Sequence, residues 1–291
     1  MIIAAATIGL GLLIGLTLGA LGGGGSILTV PALVYVLGED PRQATTSSLF
    51  IVGVTALIGS LGHARSGRVK WGIGLAFGVT GVAASFLGTA ANRLVDPDVL
   101  LLAFAGLILI AAIAMLTKSG PNSSPPSATA PAVPPSRPAG APTSTATLLA
   151  PTTSPSATGE VGVGSRVLRI VKIAGAGLGV GFLTGFFGVG GGFVIVPALT
   201  LALGLSMPSA IATSLLVIAI NSGGSLLARA GTADFDWAVI VPFTCAAIAG
   251  SFAGKKVADR LSATTLTRSF AALCIAVAIY VATSSLMALL G

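Results

Sequence analysis

Charged residues make up only 8% of this chain, against roughly a quarter in soluble domains. A surface solvated mainly by charge is therefore excluded. The 291 residues include two cysteines and one histidine. Cys245 and Cys274 form no CxxC pair and no metal spacing, so they read as small buried apolar residues rather than a redox or zinc site. The lone His63 falls at the end of an apolar stretch and reads as interfacial. Aromatic residues are 5% of the chain, and no basic stripe runs among them, so the net charge of +7 does not signal nucleic acid. The basic residues sit instead in short loops beside apolar stretches, as orientation signals and lipid-headgroup contacts do. No Lys, Arg, Asp or Glu falls in the middle of an apolar stretch. A transported cation is expected to leave a carboxylate there, and a carboxylate proton relay is likewise unsupported.

What is present is apolar. Hydrophobic residues make up 54% of the chain and the mean hydropathy is +1.01, with several stretches of about 18 or more apolar residues, each long enough to cross a bilayer. The composition predicts an all-α, polytopic transmembrane helix bundle. Residues 119–165 are mainly Pro, Ser, Ala, Thr and Gly. They cannot bury a core and read as a disordered linker. The expected organisation is an N-terminal transmembrane repeat at 1–118, the linker at 119–165 and a C-terminal transmembrane repeat at 166–291.

The halves repeat one another. Residues 11–38 match residues 177–204 at 13 of 28 positions without a gap. The two tryptophans, Trp71 and Trp237, stand 166 positions apart, and Ser85-Phe86 and Phe104 recur at Ser251-Phe252 and Phe270 with the same offset. With a one-residue slip, Thr46-Ser47 pairs with Thr213-Ser214. A duplicated membrane unit is the simplest account. Each half holds four apolar regions, about 2–38, 45–62, 72–92 and 98–117 in the first and 168–205, 209–228, 238–254 and 264–289 in the second. The first region of each is interrupted by glycine: Gly22-Gly23-Gly24-Gly25-Ser26 and Gly188-Val189-Gly190-Gly191-Gly192. Ahead of each break a glycine recurs every four residues, at Gly11, Gly15 and Gly19 and at Gly177, Gly181 and Gly185, a spacing that lets helices approach closely in a bilayer.

Basic residues set the orientation. If each broken region enters and returns, as a hairpin or re-entrant pair, twelve of the fifteen Lys and Arg share one side and only Arg42, Arg93 and Arg229 remain on the other, as the positive-inside rule expects. The first half then carries its basic loop between its second and third regions, and the second half between its third and fourth. The halves are expected to be inverted repeats, each a broken first segment plus three spanning helices. Both termini would lie outside and the linker in the cytoplasm of a multi-pass plasma-membrane protein.

Irregular backbone at membrane depth must face protein or a water-filled cavity. A short helix is expected to start after each break, near Ser26 and Phe193, and its first amides have no intrahelical partners and carry the positive end of the helix dipole. Such a terminus holds an anion without lysine or arginine. The candidate substrate-binding residues are therefore Gly22, Gly23, Gly24, Gly25 and Ser26 with Gly188, Val189, Gly190, Gly191 and Gly192. Thr46, Ser47, Thr213 and Ser214 are hydroxyl donors or helix caps, and Asn221 bonds a neighbouring helix or faces the cavity. Lys255-Lys256 after Gly-Ser-Phe-Ala-Gly misses the phosphate-loop spacing by one residue and lacks the following Ser/Thr. No metal site, cofactor site or acid–base constellation is visible, which disfavours a membrane-embedded enzyme.

The glycine breaks followed by Val-Pro-Ala-Leu at 30–33 and 196–199, with Ala-Thr-Thr-Ser-Ser-Leu at 44–49 and Ala-Thr-Ser-Leu at 212–215, resemble the TauE/SafE sulfite exporter family. The resemblance spans both halves and omits the linker. It implies a bacterial, archaeal or plant-type membrane protein that moves sulfite, an organosulfonate or a related small anion, often outward. Val189 stands where the first copy has Gly23, so the half-sites are not equivalent. The reading is a secondary transporter exporting a small sulfur-containing anion by alternating access. The alternative is an anion channel, or a permease for another small anion, using the same site. Partners are the anion and the lipid bilayer, with no nucleic acid; oligomeric state stays open. Cysteines placed at positions 2 and 130 should label from opposite faces of the membrane. Equal labelling of both from outside overturns the charge argument.

Overall fold

A computed structural model of the chain describes residues 2–92, 94–95, 97–118, 163–187, 192–228 and 235–290. The described residues form ten α-helices and no strand: α1 (Ile2–Leu21), α2 (Gly24–Pro31), α3 (Pro41–Ala64), α4 (Trp71–Asn92), α5 (Pro97–Lys118), α6 (Val163–Phe187), α7 (Gly192–Leu201), α8 (Met207–Ala228), α9 (Trp237–Arg260) and α10 (Ala263–Leu290). Helix α6 starts within the last three residues of the expected linker; 119–162 lie outside the described residues. Five helices carry stretches long and apolar enough to cross a membrane: Gln43–Ala64, Trp71–Ala91, Met207–Leu227, Trp237–Arg260 and Ala263–Thr283. Shorter apolar stretches include Ala5–Leu21, Ala103–Thr117 and Val171–Phe187. Large apolar side chains such as Val79, Phe86, Ile110 and Tyr280 face outward, as lipid-facing residues must. The protein is a multi-pass membrane helix bundle.

The expected returning segment is present in the first half. Gly22 turns the chain at φ +78°, a conformation open to glycine. Helix α2 then runs back along α1, with Gly25 packed on Leu18 and the Ile14 carbonyl. After Pro31 the ladder widens into a π-helical turn, Ala32–Val36, in which the Leu37 N–H reaches the Ala32 carbonyl at 3.3 Å. Gly38 closes it at positive φ while the Glu39 N–H donates to the Leu33 carbonyl at 3.0 Å, six residues back, with the left-handed glycine that commonly ends helices. Helix α7 ends the same way, through Gly204 and the Leu205 N–H to the Leu199 carbonyl at 3.1 Å.

Glycine governs the longest helix contacts. Helix α1 lies along α9, and α6 lies along α4. A Cβ at Gly15 would overlap the Ala247 carbonyl, and one at Gly19 the Ser251 carbonyl. In the second pair a Cβ at Gly181 would overlap the Gly81 carbonyl, and one at Gly185 the Ser85 carbonyl. Residue numbers rise together along both contacts, so α1 runs parallel to α9 and α6 parallel to α4. The two contacts are the same contact with the halves exchanged, offset by 166. Gly250 and Gly254 of α9 press on the Leu12 and Leu16 carbonyls, and Gly88 of α4 on that of Phe182.

The remaining directions follow from contacts of the same kind. Gly53 meets Ser222 and Gly59 meets Leu215, so α3 is antiparallel to α8. Gly74 meets Leu216 and Gly78 meets Ile220, so α4 is parallel to α8. The ends of α3 and α9 share one end of the bundle: the Lys255 Nζ donates to the Gly62 carbonyl at 2.5 Å, and Arg68 is ion-paired with Asp259. Two readings from sequence change here. His63 is 2% exposed and its Nδ1 lies 2.9 Å from the Gly59 carbonyl, so it is packed between helices rather than interfacial. Cys274 is buried as expected, but Cys245 is exposed on α9.

Gly15→Leu and Gly181→Leu should each cost the fold several kcal/mol, since overpacking costs about 1–3 kcal/mol even where side chains can yield and here the obstacle is backbone. Gly9→Ala and Gly179→Ala meet nothing within 4 Å and should be neutral or stabilising. Thermal midpoints in detergent separate the two classes.

Candidate functional site

The first break and the start of α7 touch. A Cβ on Gly23 would overlap the Gly192 carbonyl oxygen, and one on Gly192 would overlap the Ser26 hydroxyl. Gly23, at φ −144°, offers no side chain to cap α2, so the first amides of α2 are left without intrahelical acceptors. Gly22 to Gly25 are buried and Ser26 nearly so. The Ser26 hydroxyl donates to the Gly23 carbonyl at 2.8 Å, and the Thr29 hydroxyl to the Gly25 carbonyl at 2.9 Å. These hydroxyls satisfy carbonyls, not amides. The Gly22 N–H donates to the Leu18 carbonyl at 2.8 Å, and the N–H groups that follow, at the start of α2, lie at the positive end of the helix dipole. Leu273 of α10 covers Gly24.

Ser214 joins this cluster. Its hydroxyl lies 2.8 Å from the Ile211 carbonyl and 3.2 Å from the Gly22 carbonyl. Ile211 itself packs on Gly22. Thr213 points to the other side, where its Oγ1 accepts the Lys70 N–H at 3.1 Å and anchors the start of α4. Of the sequence-predicted residues, Gly22–Ser26, Gly192 and Ser214 are thus brought together. Gly188, Val189, Gly190 and Gly191 lie outside the described residues. Asn221 lies over Gly81 of α4, its Oδ1 buried and unpartnered among the described residues. Thr46 and Ser47 are buried on α3. The Ser47 hydroxyl has no described partner and sits beside the carboxylate of Glu39, away from the glycines.

Two residues escaped the sequence reading. The backbone repeats at 166 through the start of α3 and α8: the Ala44 N–H donates to Asp40 O at 2.8 Å, and the Ala210 N–H to Ser206 O at 2.9 Å. Ser48 donates to the Thr45 carbonyl at 2.8 Å just as Ser214 does to that of Ile211. The counterpart of Ser214 is therefore Ser48, not Ser47, and the one-residue slip is unnecessary. The ungapped offset of the glycines already carried that signal. The other missed residue, Glu39, lies outside every apolar stretch, and only the fold buries its oxygens. Among the described residues no group of three or more His, Cys, Asp or Glu is placed to hold a metal ion.

The relatives of this chain are transporters by name. The sulfite exporter TauE/SafE family profile matches residues 7–281. A "Probable membrane transporter protein" of Xylella fastidiosa (strain Temecula1) is 36% identical over 282 residues, covering 94% of this chain and 93% of its own. A protein of the same description from Bacillus subtilis (strain 168), YdhB, is 24% identical over 244 residues, 84% of this chain and 86% of its own. Another, from Methanocaldococcus jannaschii, is 24% identical over 223 residues, 75% of this chain and 68% of its own. No solved structure matches the chain.

The contact between the halves makes an asymmetric prediction. Gly192→Ala collides with a side chain, so Ser26→Gly should restore the thermal midpoint that Gly192→Ala lowers. Gly23→Ala collides with backbone, and Ser26→Gly should not restore it. Equal rescue of both would show that the two breaks do not meet as described.

Proposed function

The chain belongs to the sulfite exporter TauE/SafE family, and from that premise we propose that it is a secondary transporter exporting a small sulfur-containing anion, sulfite or an organosulfonate, by alternating access. The observation that carries this reading is the meeting of Gly23 with Gly192. The short helices α2 and α7 both begin at that contact. Two positive helix ends directed at one place stabilise an anion there. No charged side chain is needed, and the chain places none in the middle of a span.

We also propose that residues 1–118 and 166–291 are inverted repeats joined by a cytoplasmic linker, with both termini outside. The direction of the glycine contacts supports the inversion. Helices α1, α3 and α9 run one way and α4, α6 and α8 the other, so α1 opposes its counterpart α6, and α3 opposes α8. Trp71 and Trp237 begin antiparallel helices and are both exposed, as interfacial anchors on opposite faces would be. Inverted halves packed through matching surfaces offer two arrangements of nearly equal energy, related by exchanging the roles of the halves. That is the physical requirement for alternating access.

Purified protein should bind sulfite or a sulfonate in a panel with sulfate, thiosulfate and taurine, and Gly23→Ala should weaken binding at least tenfold. Proteoliposomes loaded with unlabelled sulfite should drive counterflow of labelled sulfite, with a saturating rate. Conductance without counterflow would replace the transporter by a channel. Normal binding in a folded Gly23→Ala protein would remove the breaks from the site.

A further inference from the structure

The corner between the π-helical turn and α3 holds a buried acid. Both carboxylate oxygens of Glu39 are buried, and neither has a hydrogen-bond partner among the described residues. The Ser47 hydroxyl, on a side chain with no exposed surface, lies beside that carboxylate without completing a hydrogen bond. The chain on either side packs into one apolar cluster through Leu33, Leu37, Ala44 and Phe50, joined by Phe235 from the segment before α9. Phe50 meets Trp237 and Phe235 edge-on at centroid distances of 5.5 and 6.0 Å, which lines the α3–α9 seam with apolar rings. The charge facing Glu39 from α9 is Asp236, itself negative, whose carboxylate accepts the Ala238 N–H at 3.0 Å as the cap of α9. Asp40 is the adjacent residue. The Arg42 side chain lies outside the described set, and the ion pair found among the described residues is Arg68–Asp259, at α9's far end.

An ionised carboxylate with its oxygens buried beside a second carboxylate is disfavoured, and such groups take up a proton more readily. We propose that Glu39 is a proton-binding site, and that its protonation seals the seam between the α2–α3 corner and the start of α9. In the protonated form the Glu39 O–H donates to Ser47 Oγ, which gives a partner to the Ser47 hydroxyl and to one of the two Glu39 oxygens. Loss of that proton to water leaves the buried Glu39 carboxylate facing the exposed Asp236, and the seam opens to hydrate Glu39. Burial, then the Asp236 charge, hold the Glu39 carboxyl above the usual carboxylate range, against the opposing pull of the Ser47 hydroxyl. Among the described residues no group of three or more His, Cys, Asp or Glu converges there to hold a metal ion, and the chemistry favours a proton. The link to anion movement rests on the transporter reading above: a seam that closes on protonation ties one proton to each exchange of access.

Infrared difference spectra of the full chain in lipid nanodiscs, recorded across pH steps, test the site itself. A protonated-carboxyl band should titrate above the ordinary glutamate range, vanish in Glu39→Gln and change frequency in Ser47→Ala. It should titrate at lower pH in Asp236→Asn, where the repelling charge is gone. A band that persists in Glu39→Gln, or an acid that titrates in the ordinary range because Arg42 or a sodium ion holds it ionised, overturns the proposal. Labelled-sulfite uptake at two pH values should differ in the wild type and converge in Glu39→Gln. Absence of sulfite uptake in the wild type at any pH would refute the transport reading and leave the infrared result standing. The same shift fixes the sign of the stability effect. A carboxyl whose pKa is raised by folding favours the native state at low pH and disfavours it as pH rises through the folded value. Glu39→Gln should therefore raise the thermal midpoint at neutral and alkaline pH, with the gain shrinking as the medium is acidified.

Discussion

The fold depends on backbone touching backbone. In a bilayer, lipid chains are as apolar as leucine, so helices gain nothing by hiding apolar surface from the solvent; van der Waals contact between closely fitted helices must hold them. The glycines at 11, 15 and 19, and their counterparts at 177, 181 and 185, bring α1 onto α9 and α6 onto α4 at distances that exclude a Cβ. Every other part of the architecture hangs from those two contacts. They join a helix of one half to a helix of the other, so neither half can complete its packing alone. They also fix where the first helix of each half ends, and hence where its break is delivered.

The chemistry of the centre follows from that delivery. Gly22 reverses the chain at positive φ, and the returning helix starts against the carbonyl of Gly192. Local hydroxyls, Ser26 and Thr29, turn back onto carbonyls. The first amides of α2, which have no acceptor within the helix, lie at its positive dipole end. A site of amides and hydroxyls binds an anion without a permanent counter-charge. A lysine there would hold the anion strongly in a low dielectric and would itself be costly to bury once the anion left. Neutral donors lower both penalties, which suits the transport proposed for this chain.

Much of this was legible in the residues, for an identifiable reason. Glycine spacing and proline position are backbone constraints, so the first break, the ladder and the starts of α2 and α7 could be read directly. The offset of 166 was legible too, but it was abandoned at the hydroxyls, where Thr46-Ser47 looks like Thr213-Ser214 by composition. The backbone keeps its register there, and Ser48 is the residue that repeats the Ser214 bond. What could not be read is which face a residue presents when the helix is apolar all round. Cys245 turned out exposed and His63 buried for that reason. Glu39 was hidden differently: it lies in a turn that hydropathy marks as exposed, and only the packing of the α2–α3 corner on α9 covers its oxygens.

The departure from symmetry at the centre has a steric cause. Ser26 and Gly192 are equivalent positions, 166 apart, and they also touch one another. Under an inverted arrangement, equivalent residues in mutual contact sit beside the pseudo-two-fold axis and compete for one volume. Two serines cannot share it, because even a methyl group on Gly192 would overlap the Ser26 hydroxyl. One half must therefore carry the hydroxyl and the other must give way. The glycine at 192 is then required by Ser26 rather than by its own backbone. A duplicated unit that packs on its twin through its own glycine break cannot remain identical to that twin, because only one side chain fits at the place where the two meet.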